Sequence, residues 1–128
     1  MKRVTGIGGI FFKAKDPDAL RAWYRDHLGV PIEAWGGCAF EWRSESNPTG
    51  QGMTLLNIVD TESNYFAPST SPFMLNFRVE NLDDLLRALR AEGCQVDTKV
   101  DASEFGKFGW VLDPECNRVE LWQPPDGQ

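Results

Sequence analysis

Glu120 stands in RVELW, a short run near the end of the chain whose apolar neighbours mark it as a strand. A carboxylate that faces a largely apolar hollow is disfavoured in its charged form, which suits it to work as an acid or base. The same group can instead be neutralised by Arg78 or Lys13, whose strands are expected to line the same space. Arg78 alternates with Met74 and Asn76 in FMLNFRV, so these three share one face. An arginine there can clamp a carboxylate or phosphate, or reach solvent at the rim of the sheet along its own stem. Lys13 alternates with Phe11 and Gly9 and carries the same two readings. Asn57 and Asn76 are amides within apolar strands, and a buried amide takes its hydrogen bonds from a ligand, the backbone or water. Phe11, Met74, Trp110 and Trp122 supply large apolar side chains. They suit an aromatic or other apolar ligand, or they pack a sheet against helices.

Other chemistries are excluded or weakly supported. His27, the one histidine, ends a helical run (YRDHLG), where the helix dipole accounts for a basic group. No nucleophile–histidine–carboxylate set can be built around it. Cys38, Cys94 and Cys116 are odd in number and lack close spacing, so they form neither a disulfide framework nor a zinc knuckle. They fit a reducing, cytoplasmic setting. There is no phosphate-binding glycine loop, dinucleotide fingerprint or metalloprotease motif. The net charge is −6 and there is no basic run, so nucleic acid is not an expected partner. The opening apolar stretch is broken by glycines and followed by charge, so no membrane span or leader is expected.

The elements that must position these groups follow from periodicity and caps. Positions 4–15 read as a strand in which Gly6 and Gly8 fall on the face opposite Gly9. Asp16 caps a helix that begins at Pro17, carries Leu20, Trp23, Tyr24 and Leu28 as its apolar stripe, and stops at Gly29. Strands are predicted at 31–34 and 38–43 about a turn at Gly36–Gly37, then at 53–59, after a polar loop. Residues 60–72, rich in serine and proline, read as a linker. Tyr65 and Phe66 within it either pack back onto the domain or rim a cavity.

The second half repeats the plan. A strand at 73–79 precedes a helix capped by Asn81, striped by Leu82, Leu85, Leu86 and Leu89, and ended by Gly93. Strands follow at 95–100, 108–112 and 118–122, the last two joined by the turn DPECN. A shift of 65 residues carries Phe12 to Phe77, Asp16 to Asn81 and Leu20 to Leu85. One such half would leave a sheet face and edges bare. Two halves side by side can curl around a shared concave space.

KAKDPDALRAWYRDHLG, FRVENLDDLLRALRAEG and GWVLDPECNRVELWQP together resemble the vicinal oxygen chelate superfamily, the glyoxalase, bleomycin-resistance and extradiol-dioxygenase group. The last segment is similar to the family's closing hairpin, and the resemblance covers nearly the whole chain. It implies an α+β fold of tandem βαβββ modules, here 1–64 and 71–126, forming a cup-shaped mixed sheet with helices outside. It also implies a homodimer. Active relatives hold a divalent metal through side chains on the concave face. The implied positions fall here on Gly9, Met74, a residue near Asn57, and Glu120. Glycine offers no donor and a thioether is a poor ligand for hard divalent ions. No metal or other cofactor is therefore expected, and lyase, isomerase and dioxygenase chemistry loses its Lewis acid.

The sequence thus points to a metal-independent small-molecule-binding protein. Glu120 is its candidate catalytic group, and Phe11, Lys13, Asn57, Met74, Asn76, Arg78, Trp110 and Trp122 are its candidate ligand contacts. Two alternatives stand beside it: a glyoxalase-like lyase or isomerase using Glu120 for proton transfer or as a metal ligand, and a structural or regulatory homodimer whose cup is filled.

Overall fold

The computed structural model describes residues 3–128. Met1 and Lys2, which the first module was expected to include, lie outside the described residues. In chain order the elements are β1 (Val4–Ala14), α1 (Pro17–Leu28), β2 (Gly37–Glu41), β3 (Met53–Asp60) and β4 (Phe73–Val79). They continue with α2 (Leu82–Ala91), β5 (Gln95–Val96), β6 (Asp101–Ser103), β7 (Gly106–Leu112) and β8 (Arg118–Gln123).

Both helices begin and end as their caps dictate. The Asp16 carboxylate accepts from the Ala19 N–H at 3.1 Å, and Gly29 closes α1 in the left-handed region at φ 66°. The Asn81 side chain accepts from the Asp84 N–H at 3.1 Å, and Asp83 and Asp84 sit in the first turn, where the dipole favours them.

The strands form one open mixed sheet in the order β2-β3-β1-β4-β8-β7-β5, with β6 also on β7. β1 and β4 run antiparallel at the centre. Each is flanked by a parallel strand, β3 on β1 and β8 on β4, and each of these carries an antiparallel neighbour, β2 and β7. The two halves therefore repeat one another across the β1/β4 pairing.

Two expected strands differ. Residues 31–34 form no strand: Pro31 has no N–H to give a ladder, and the chain reverses at once, the Glu33 N–H donating to the Gly37 carbonyl at 2.8 Å. The turn before β2 accordingly centres on Ala34–Trp35. Of the stretch 95–100 only Gln95–Val96 is a strand and β6 starts beyond it, because the Asp97 carboxylate makes a turn by accepting from the Lys99 N–H at 2.9 Å.

The two faces of the sheet are packed differently. On one, Val79 and Leu121 join Leu82, Leu85 and Leu86 of α2 in a buried cluster, with Phe77, Val111 and Val119 against it. Each buried leucine there contributes about 1.5–3 kcal/mol. Phe12, on the same face, meets Tyr24 of α1 at 6.1 Å between ring centroids. The apolar stripe of α1 is nonetheless incompletely covered, and none of its residues is buried. The other face carries no helix and holds a second buried cluster of Phe11, Phe66, Met74 and Trp110.

Candidate functional site

Strand register sets the inner face out in rows. Asn57, Phe11 and Met74 lie opposite one another on β3, β1 and β4. Asn76, Glu120 and Trp110 form the next row on β4, β8 and β7. Arg78, Trp122 and Phe108 form the third. Phe11 and Asn57 stand to β1 and β3 as Asn76 and Glu120 stand to β4 and β8, so Asn57 is the first module's counterpart of Glu120.

At the centre, Glu120 is 1% exposed. Its Oε1 accepts from Asn76 Nδ2 at 2.6 Å. Its Oε2 accepts from the Trp110 indole N–H at 2.9 Å and from the Tyr65 hydroxyl. All three donors are neutral. Burial, and then the Glu120 charge, push the Tyr65 phenol well above the ordinary tyrosine range. The alternative, an ion pair with Arg78 or Lys13, does not form. Arg78 lies one row away, its guanidinium donating to the main-chain oxygens of Met53 (3.1 Å) and Gln128. It is sandwiched between the rings of Trp42 and Trp122, at 4.7 and 5.1 Å, and burial lowers its pKa. Lys13 places its ammonium 5.3 Å from the Phe66 ring. Asn57 is half-buried opposite Phe11 and is not a partner of Glu120.

Asn76 is wholly buried and its Oδ1 has no hydrogen-bond partner. That oxygen is packed against Gly8, where a Cβ would come within 2.1 Å of it and within 3.0 Å of Trp122. Simple alternation assigns Gly6 and Gly8 to the helix face. The register of β1 against β4 slips between Val4 and Gly6 and again between Ile7 and Gly9. These bulges turn both glycines towards the inner face, where they border Arg78.

The loop between the modules completes the site. Phe66 is fully buried among Phe11, Met74 and Trp110, and Tyr65 caps Glu120. Arg118 Nη1 donates to the Tyr65 carbonyl, and the Lys13 N–H donates to that of Pro72 at 2.7 Å. Asn117, in DPECN, accepts from the Ser71 hydroxyl and donates to Asp113 at 2.9 Å, tying the loop to the β7–β8 turn. The sequence signal for this loop was an aromatic pair in an otherwise polar linker, which fixes neither its direction nor its partners. Trp42 and Arg118 carried no such signal.

The residues at the metal positions do not fit a metal. Gly9 has no donor, Met74 is buried in the apolar cluster, Asn57 lies in another row, and three of the roughly four acceptor positions of Glu120 are taken. Among the described residues no three His, Cys, Asp or Glu side chains are grouped to hold an ion, against the three or more protein ligands that zinc requires.

A family model for the glyoxalase-like domain matches residues 9–122. The chain belongs to this family. Its fold is similar to that of a methylmalonyl-CoA epimerase in complex with methylmalonyl-CoA and NH4+, with TM-score 0.71, 15% identity and 98% of each chain covered. It is similar also to methylmalonyl-CoA epimerase from Mycobacterium tuberculosis, with TM-score 0.61, 20% identity, and 95% of this chain and 89% of that one covered. A glyoxalase/bleomycin resistance protein/dioxygenase superfamily member from Vibrio splendidus 12B01 gives TM-score 0.56 at 12% identity, covering 91% and 97%. No curated protein matches the chain.

Proposed function

We propose that this chain is a metal-independent small-molecule-binding protein of the glyoxalase and bleomycin-resistance type, taking its ligand on the inner face at Glu120. The observation that carries this reading is a buried carboxylate held by three neutral donors inside an aromatic wall. Two of those donors are fixed on strands. The third, Tyr65, comes from a loop, so a ligand can replace it without disturbing the sheet. The ligand therefore presents an O–H or N–H to Glu120 and an apolar body to Phe11, Met74 and Trp110, while the loop that carries Tyr65 and Phe66 opens as a lid. Proton transfer by Glu120, in a lyase or isomerase, is less well supported, since most of its acceptor positions are occupied. The epimerase activity named for the structural neighbours is not carried across.

The reading includes a two-fold homodimer, in keeping with the exposed Trp23, Leu28 and Trp35 on α1 and the loop after it. It also includes a cytoplasmic setting, in keeping with three free cysteines. No helix among the described residues is long and apolar enough to cross a membrane.

The test is a screen of small phenols and anilines against the chelated protein by ligand-observed NMR. At least one is expected to bind more tightly than about 1 mM, and Glu120→Gln is expected to weaken it roughly tenfold or more. No binding, or binding that appears only when a divalent metal is restored, contradicts the proposal. Complete burial of Phe66 favours a second reading, a structural or regulatory homodimer whose cup stays filled. A dimer by light scattering together with an empty ligand screen would select it.

A further inference from the structure

A cleft of about 460 Å³ opens between the loop at Pro68 and the β5–β7 edge of the sheet. Leu112, Trp110 and Pro68 give it apolar walls, Val96 and Val111 border it while packing against the α2 cluster, and Arg118 and Asp97 are its charged lining residues. The volume suits a small organic ligand. The Arg118 side chain is 11% exposed, and its guanidinium lies 4.6 Å from the centre of the Trp110 ring. Its hydrogen bonding is incomplete. Nη1 donates to the Tyr65 carbonyl, but Nη2 reaches Asp97 Oδ2 only at 3.5 Å. A guanidinium has five N–H donors. Asp97 is shared: its carboxyl is held below the usual carboxylate range first by the backbone N–H of Lys99 and then by the charge and a long hydrogen bond of Arg118, which leaves the other guanidinium donors to a ligand.

A largely buried guanidinium with unused donors, stacked on an indole and facing an apolar cleft, matches a planar anion attached to a ring. We propose that this cleft is a binding site for a small aromatic carboxylate. The carboxylate takes the free N–H groups of Arg118, and the ring lies among Pro68, Leu112 and Trp110. The site is separate from the Glu120 cluster. Trp110 stands between them, its N–H on Glu120 and its ring against Arg118.

Benzoate is the probe and benzyl alcohol its uncharged control, both titrated into the full chain by calorimetry or protein-observed NMR. Benzoate is expected to bind once per chain, more tightly than about 1 mM and roughly tenfold more tightly than the alcohol. Arg118→Gln should weaken benzoate roughly tenfold or more, and clearly more than Glu120→Gln, which acts on this site only through the Trp110 hydrogen bond. Because Arg118 also holds the Tyr65 carbonyl, a second measurement uses the unmutated protein. Cys94 lines the cleft and is exposed, whereas Cys116 is exposed but does not line it. Saturating benzoate should slow alkylation of Cys94 by iodoacetamide and leave Cys116 unaffected. The proposal is overturned if benzoate binds no better than benzyl alcohol, if Cys94 stays unprotected, or if Glu120→Gln abolishes benzoate binding while Arg118→Gln spares it.

Discussion

Glu120, Tyr65 and Asn76 depend on one another. The Tyr65 phenol is raised above its ordinary value of about 10 by burial and by the Glu120 charge. In the folded chain it keeps its proton where the unfolded chain loses it. Its contribution to stability is thus fully present below about pH 10 and is lost as pH rises above that. Two measurements follow. Tyrosinate absorbance in Tyr24→Phe, which leaves Tyr65 as the sole tyrosine, should appear only above the ordinary range. Urea stability of the unmutated protein should fall between about pH 9 and 11 more steeply than that of Tyr65→Phe. Gly8 has a different task, which is to leave room. Gly8→Ala puts a methyl group onto Asn76 Oδ1, Trp122 and Arg78, and should cost about 1–3 kcal/mol in urea unfolding. It should also weaken any ligand that binds at Glu120, by displacing Asn76.

At the scale of elements, caps and two-residue alternation were legible. Asp16 and Asn81 start their helices, and alternation along FMLNFRV and RVELW places Met74, Asn76, Arg78, Glu120 and Trp122 on one face of the sheet. Alternation failed where β1 bulges, since a two-residue period has no way to announce an inserted residue. The strand expected at 31–34 failed because a turn bond from Glu33 to Gly37 competed with the ladder and won. The apolar stripe of α1 looked as good as that of α2, but burial depends on what a stripe meets. Leu82 is fully buried, and Leu82→Ala should cost about 2–5 kcal/mol. Leu20, only partly covered on α1, should cost less when cut to alanine, about 1 kcal/mol. Paired chemical denaturation of the two variants checks this. The loop between modules was the least legible element, because its shape is set by distant partners: Asn117, Arg118 and Glu120. Phe66→Ala empties the centre of the inner cluster, should cost about 3–5 kcal/mol, and should leave a hollow open to small apolar molecules.

Across the whole molecule the two halves repeat one strand arrangement, and they differ in what each adds to it. The second module has β5 and β6 after its helix and a carboxylate in the central row. The first has no strand between α1 and β2 and carries Asn57 at the matching place. The family's metal positions are thus divided among a glycine, a buried thioether, an amide one row away and a carboxylate already holding three donors. The central claim is that Glu120 anchors an organic ligand and not an ion. Elemental mass spectrometry on tag-free protein purified without chelator tests it most directly. The account predicts far less than one equivalent of zinc, nickel, manganese or iron per chain, and none retained after incubation with metal and dialysis. About one tightly held equivalent per chain, lost in Glu120→Gln, would contradict it.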